Sequence, residues 1–141
     1  MNKRIIYTNA EGGVSVIIPT LEALEHMPIE EIAQKDVPVG VSAEIVDAST
    51  IPTDRTFRNA WEKASSAIVH NIVKCKEIAH DKRRRARDVE MAPLDIEATI
   101  PSKAAQAEAK RQVIRDKYAA MQSSIDAATT VEQLKSIIVS L

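Results

Sequence analysis

His70, Cys75 and His80 carry side chains that commonly hold zinc, and they fall close together near the middle of the chain. Their spacing works against a shared ion. Side chains five residues apart on a helix point about 140° from one another, whereas a zinc-binding helix places its ligands four apart on one face. His26 is the only other histidine, so no metal and no cofactor is expected. Nucleophiles are equally poorly supported. Cys75 has no base on its helical face, Ser65 and Ser66 fall inside the same expected helix, and no G-x-S-x-G, P-loop or G-x-G-x-x-G motif occurs. Glu30 and Glu31 are adjacent carboxylates, but they follow Pro28 at a helix start, where negative charge offsets the unpaired N–H groups. The expectation is a protein that is not an enzyme.

The densest chemistry is a basic run. Lys82, Arg83, Arg84, Arg85 and Arg87 put five cations into KRRRAR, in a chain whose net charge is only -1. Such a run can neutralise phosphates, which makes a nucleic-acid-binding accessory protein one reading. On a helix, however, consecutive residues point about 100° apart and ring the axis, and Asp81, Asp88 and Glu90 interleave with the cations. A solvated helix end that meets an acidic protein surface fits that pattern better. A second partner-contact candidate is IPTDRTFRNAW, residues 51 to 61, where Arg55 and Arg58 flank Phe57 near Trp61. Arginine and tryptophan are the residues that most often dominate protein interfaces.

Composition narrows the class. The fractions, 45% apolar and 28% charged, are those of an ordinary globular chain, but only 3% of residues are aromatic, so the few large anchors matter. No uninterrupted apolar stretch approaches the roughly 18 residues of a membrane span, and MNKRII turns polar too soon for a signal peptide. No membrane partner is expected, and the protein is expected to remain where it is made. Cys75 is the single cysteine, which excludes an internal disulfide. Charge is polarised: residues 1 to 73 carry 6 basic and 10 acidic side chains, residues 74 to 117 carry 12 and 8, and the remainder 1 and 2. A chain that is acidic and then basic suits self-association as a homo-oligomer as well as an anionic partner.

The elements that must position these residues follow from periodicity and punctuation. RIIYTN and VSVIIP flank the glycine-bearing turn AEGG and predict a β-hairpin. Thr20 caps a short helix with Leu21, Leu24 and Met27 on one face, Pro28 opens a second, and Ala43 to Val46 predicts a further strand. Residues 1 to 52 therefore form a small ββαβ-like antiparallel sheet, too small to bury a core alone. The cover is expected from residues 53 to 141. Phe57, Trp61, Ala64, Ile68, Ile72, Cys75 and Ala79 recur at spacings of four and three, predicting a long helix from Asp54 that thins after Ala79, where Ala86 and Val89 continue the stripe, and stops at Pro93. Ser102 caps a return helix whose Ala107, Ile114, Tyr118, Met121 and Ile125 form the matching stripe, with Ile114, Tyr118 and Met121 packing near Ile68 and Ile72. Thr130 and Gln133 have the form of a capping box for a last short helix through Leu141. The expected fold is α+β: a small sheet packed on a long antiparallel helical hairpin, folding as one unit.

Three stretches, IIYTNAEGGVSVIIP, DVPVGVSAEIVDASTIPTDRTFRNAW and IDAATTVEQLKSI, resemble a family of small tailed-bacteriophage proteins encoded near tail and tail-fibre genes. The likeness is most specific at residues 45 to 61. It implies a virion-associated structural protein or a tail or tail-fibre assembly factor, with phage structural proteins as partners. It also implies a location in the host cytoplasm during assembly or in the virion tail. No catalytic motif comes with it. A host-directed inhibitor is the further alternative, since it too needs only an interaction surface.

Overall fold

The computed structural model describes residues 2–141. The protein is α+β; the described residues form a three-stranded and a two-stranded antiparallel sheet and five α-helices, and the chain divides into two compact units, residues 1–71 and 72–141.

The first unit is built on three strands, β1 (Lys3–Thr8), β2 (Val14–Ile17) and β3 (Ala43–Asp47), in the order β2-β1-β3. The expected hairpin forms, with Ile5 opposite Ile17 and Thr8 opposite Val14. Its turn is held by Asn9, whose side-chain oxygen accepts from the backbone N–H of Glu11 at 3.1 Å and of Gly13 at 3.0 Å. Gly12 takes a φ of +83°, which glycine adopts without a steric cost. β3 pairs with β1 as expected, Ile5 lying opposite Ile45. Ile5 and Ile6 are neighbours in a strand and so point to opposite faces, yet both are fully buried. The sheet is therefore covered on both sides, which is why RIIY does not alternate apolar with polar.

One cover is helical. α1 (Leu21–His26) has the predicted Thr20 cap, and α2 (Ile29–Asp36) starts after Pro28 with Glu30 and Glu31 in its first turn. Ile32 and Val37 pack with Ile5, joined by Ile17, Ala23, Met27 and Ile45. The other cover comes from residues that the sequence pattern assigned to the long helix. Residues 58 to 60 form a 3-10 turn, and β4 (Trp61–Ala64) and β5 (Ala67–His70) form a second hairpin, with Trp61 opposite His70 and Ala64 opposite Ala67. Ser65 and Ser66 make its two-residue turn, Ser65 taking a φ of 56°. Trp61, 0% exposed, packs with Ile6, Val14 and Val46, and Val16, Ile51 and Ile68 close around them. Phe57 is also buried. Burying a side chain of this size is worth about 1.5 to 3 kcal/mol relative to leaving it exposed.

The expected helix from Asp54 is thus corrected. The Asp54 side chain accepts from the backbone N–H of Thr56 at 2.9 Å, a local turn and not a helix cap. Helix formation waits for residue 72, and the boundary between units falls after Asn71, where the sequence placed it between 52 and 53. In a strand, Trp61 and Lys63 share a face with their partners Ile68 and His70, so Trp61 and Ile68 serve the sheet unit.

The second unit is a helical hairpin with a short third helix: α3 (Ile72–Glu97), α4 (Ala104–Ala127) and α5 (Val131–Ile138). At about 1.5 Å per residue α3 is roughly 39 Å long. Pro93 does not stop it as expected, since the helix continues through it to Glu97. Pro93 withholds only the bond its N–H would have given to Val89. α4 begins at Ala104, with Lys103 and not Ser102 at its cap position. The Thr130–Gln133 capping box forms as predicted, the Gln133 backbone N–H donating to the Thr130 hydroxyl at 3.2 Å. The helices bury Cys75, Ala79 and Arg83 from α3, Ala107, Tyr118 and Ile125 from α4, and Leu134 and Ile138 from α5.

Three side-chain pairs across the hairpin mark its register. His80 meets Asp126 at 2.8 Å, Glu90 meets Lys117 at 3.0 Å, and Asp95 meets Arg111 at 3.0 Å. The residue numbers in each pair add to 206 or 207, the mark of two helices running antiparallel. Ile114, Tyr118 and Met121 therefore lie across from residues 85 to 92. Ile72, expected beside them, is the first residue of α3, about 20 Å or more away along its axis. Among the described residues no helix is long and apolar enough to cross a membrane.

Candidate interaction surface

The structure sorts the basic run into different roles. Arg83, 5% exposed, is the one charged side chain buried in the core of the described residues. It follows Ala79 by four residues and precedes Ala86 by three, so small neighbours on the seam leave room for its aliphatic stem. Its Nε donates to His80 Nδ1 at 3.4 Å, and His80 Nε2 lies 2.8 Å from Asp126 Oδ1. Because Nδ1 accepts from Arg83, the ring proton belongs on Nε2, from which it is donated to Asp126. Desolvation first, then the neighbouring Arg84 and Arg87, lower the Arg83 pKa, with Asp126 pulling the other way. The guanidinium stays charged at any physiological pH.

Two further cations are engaged by acids on their own helix. Arg84 pairs with Asp81, and Arg87 with Asp88 at 3.3 Å. Lys82 and Arg85 remain, both exposed and neither in an ion pair among the described residues. They belong to a stripe that runs Ile78, Lys82, Arg85, Val89, Ala92, Ile96, alternating by four and three, about 100° around α3 from the buried one. Val89 is 74% and Ile96 68% exposed. Val89, expected to continue the buried stripe, thus faces out. This outer stripe spans about 27 Å.

The other contact candidates sit in the first unit. Arg55 is exposed, but Arg58 is taken up internally: its Nη2 donates to the Val14 carbonyl at 2.6 Å and its guanidinium stacks 4.4 Å from the Trp61 ring centroid. Burial, then repulsion from Arg55, lower its pKa. Arg58 locks the Trp61 cover to β2. Of the expected core residues, Phe57, Trp61 and Tyr118 are buried, while Ile68, Ile72, Ile114 and Met121 are half-buried.

Tyr118 holds a second network that the sequence did not reveal. Glu90 accepts from Lys117 Nζ at 3.0 Å, and hydrogen bonding from Tyr118 first and Lys117 next holds its carboxyl below the usual carboxylate range. Burial, and next the bond to Glu90, raise the Tyr118 pKa. Asp126 was missed as well, a lone acid near the end of α4 whose role follows only from its position across from His80. Burial pushes the Cys75 thiol up, with Lys135 opposing, which keeps it protonated and unreactive. His70 stands edge-on to Trp61, ring centroids 6.4 Å apart, and His80 faces Asp126, so the three proposed zinc-type residues point to separate environments. Among the described residues no group of His, Cys, Asp and Glu is placed to hold a metal ion.

Neither a protein-family model, nor a curated protein, nor a solved structure matches this chain.

Proposed function

We propose that the chain is a non-enzymatic bacteriophage structural or tail-assembly protein that works through protein–protein contacts. The observation that carries the contact reading is the outer face of α3, where exposed Val89, Ala92 and Ile96 lie in line with the uncompensated Lys82 and Arg85. Exposed apolar side chains flanked by unpaired charge are what a protein partner covers. The phage assignment rests on the resemblance of residues 45 to 61 and of the flanking stretches. A nucleic-acid role is weaker, because the five basic residues do not line one groove: one is buried and two are matched by acids.

Affinity capture of the tagged full chain from infected cells, with quantitative mass spectrometry of purified particles, tests this reading. Recovery of tail or fibre proteins, or a fixed copy number per particle, supports it. The reading is overturned if the chain is absent from particles and captures no virion protein.

A further inference from the structure

The outer stripe of α3 is a helix face without a partner in its own unit, and the charges beside it indicate what would cover it. The four acids of α3 between Asp81 and Asp95 are already engaged: Asp81 by Arg84, Asp88 by Arg87, Asp95 by Arg111 and Glu90 by Lys117. Packing the stripe against the same stripe of a second copy would bring Lys82 and Arg85 against like charge while the acids beside them are engaged elsewhere, which is costly. The missing partner is an apolar surface bearing free carboxylates.

The chain carries such a surface in its first unit. Ile18 is 62% and Leu21 83% exposed, and Leu24 is exposed on the same face of α1 as Leu21. Glu22 and Glu25 lie beside them, Glu30 and Glu31 follow at the start of α2, and none of the four forms an ion pair among the described residues. The inward side of α1 is occupied by Ala23, packed against the sheet with Met27 just beyond it, so the leucines are left over from the core. The two surfaces match in kind: leucines and an isoleucine with free acids, against valine and isoleucine with free cations.

We infer that the acidic, leucine-bearing α1 face of one copy docks on the α3 outer stripe, Lys82, Arg85, Val89 and Ile96, of a second copy. This deepens the contact reading and rests on it, naming the chain itself as one partner. A contact between two different patches is heterologous, so each copy has one of each to offer and association continues into a ring or a filament. A six-residue helix against one stripe is a smaller contact than a stable dimer uses, so single contacts are weak and growth depends on concentration.

Sedimentation velocity of the full chain from micromolar to millimolar concentration is the test, with two charge-reversed variants. The wild-type chain is expected to rise in mass from 15.5 kDa as concentration increases, and to fall back in high salt. Glu22→Lys/Glu25→Lys removes one patch and Lys82→Glu/Arg85→Glu the other. All four side chains are exposed, so unfolding should be unchanged, and each variant alone should associate about tenfold or more weakly than wild type. Mixed together, the two variants retain one intact acidic patch and one intact basic stripe between them. The mixture should associate again, because the intact acidic patch of one variant meets the intact basic stripe of the other and the two reversed patches are also opposite in charge. Three results overturn the inference: a wild-type chain that stays monomeric throughout, variants that associate as well as wild type, or a mixture of variants that does not associate. A monomeric chain that still captures virion proteins would sink this inference alone and leave the proposed function standing. Leu21→Ser, which alters no charge, should also weaken association, whereas a purely ionic attraction would be indifferent to it.

Discussion

The two units solve the same problem with different materials. In the first, a three-stranded sheet is closed on both faces, by α1 and α2 on one and by the Trp61 hairpin on the other, and its interior is isoleucine, valine and tryptophan. In the second, α3 buries Cys75, Ala79 and the stem of Arg83, α4 buries Ala107, Tyr118 and Ile125, and polar side-chain pairs cross between the two helices. Apolar volume stabilises the first unit and restricts substitution within it. The second draws less on apolar volume and leaves a row of α3 side chains facing outward. Each unit nonetheless leaves one apolar row outward, Leu21 and Leu24 on α1 in the first and Val89 and Ile96 on α3 in the second.

Substitutions should separate these regimes, beginning with the largest effect. Trp61→Ala should cost the first unit about 3 to 5 kcal/mol, read by denaturant unfolding. Trp61→Phe should cost clearly less, because it keeps a ring under Arg58 and gives up an indole N–H that has no partner among the described residues. Arg83→Ala should destabilise the helical unit by about 1 to 3 kcal/mol, through lost stem packing and a stranded His80. Arg83→Met, which restores the volume without a buried charge, should recover most of that or exceed wild type. If it did not, the guanidinium would be contributing more than its stem. Thr130→Ala should cost about 1 kcal/mol through loss of the α5 cap, visible as faster amide exchange in the first turn of that helix.

The smallest expected effect is on pH dependence. The folded pKa of Glu90 is lowered by Tyr118 and Lys117, so its contribution is present above the ordinary carboxylate pKa and is lost as pH falls through the folded value. The Tyr118 shift is upward, so its contribution is present below the ordinary tyrosine pKa and is lost as pH rises through the folded one. Glu90→Gln should flatten the acid limb of the helical unit's stability curve and leave that of the sheet unit unchanged.

Much of this fold was legible in the sequence, and the exceptions have physical causes. The first hairpin, the strand at residues 43 to 46, the Thr20 cap and the Thr130–Gln133 capping box are local signals, each written within a few residues. The start of α3 is not local. Phe57, Trp61, Ala64, Ile68 and Ile72 happen to recur at helical spacing, and a core that needs Trp61 and Ile68 on one strand face supplies the same residues to the interior. The contrary signals were the adjacent Ser65 and Ser66 and the β-branched pair Ile68 and Val69, a strand–turn–strand reading that the longer period obscured. Once the helix is shifted, the expected meeting of Ile114, Tyr118 and Met121 with Ile68 and Ile72 goes with it. The roles within the basic run were illegible for a related reason. Arg83 continues the spacing of four from Cys75 and Ala79 and so turns inward with them, but the acids and bases that α3 meets across the hairpin, Asp126, Lys117 and Arg111, lie far along the chain.

Residues 53 to 71 belong to the sheet unit and the helix begins at Ile72, which is what closes one core and defines the other. Backbone carbon chemical shifts of the full chain, measured by NMR across residues 54 to 97, test it most directly. Strand shifts at 61–64 and 67–70 with helical shifts starting at 72 are the expected result. Continuous helical shifts from 54 onward would contradict the account, since they would move Trp61 off the sheet and onto the helix.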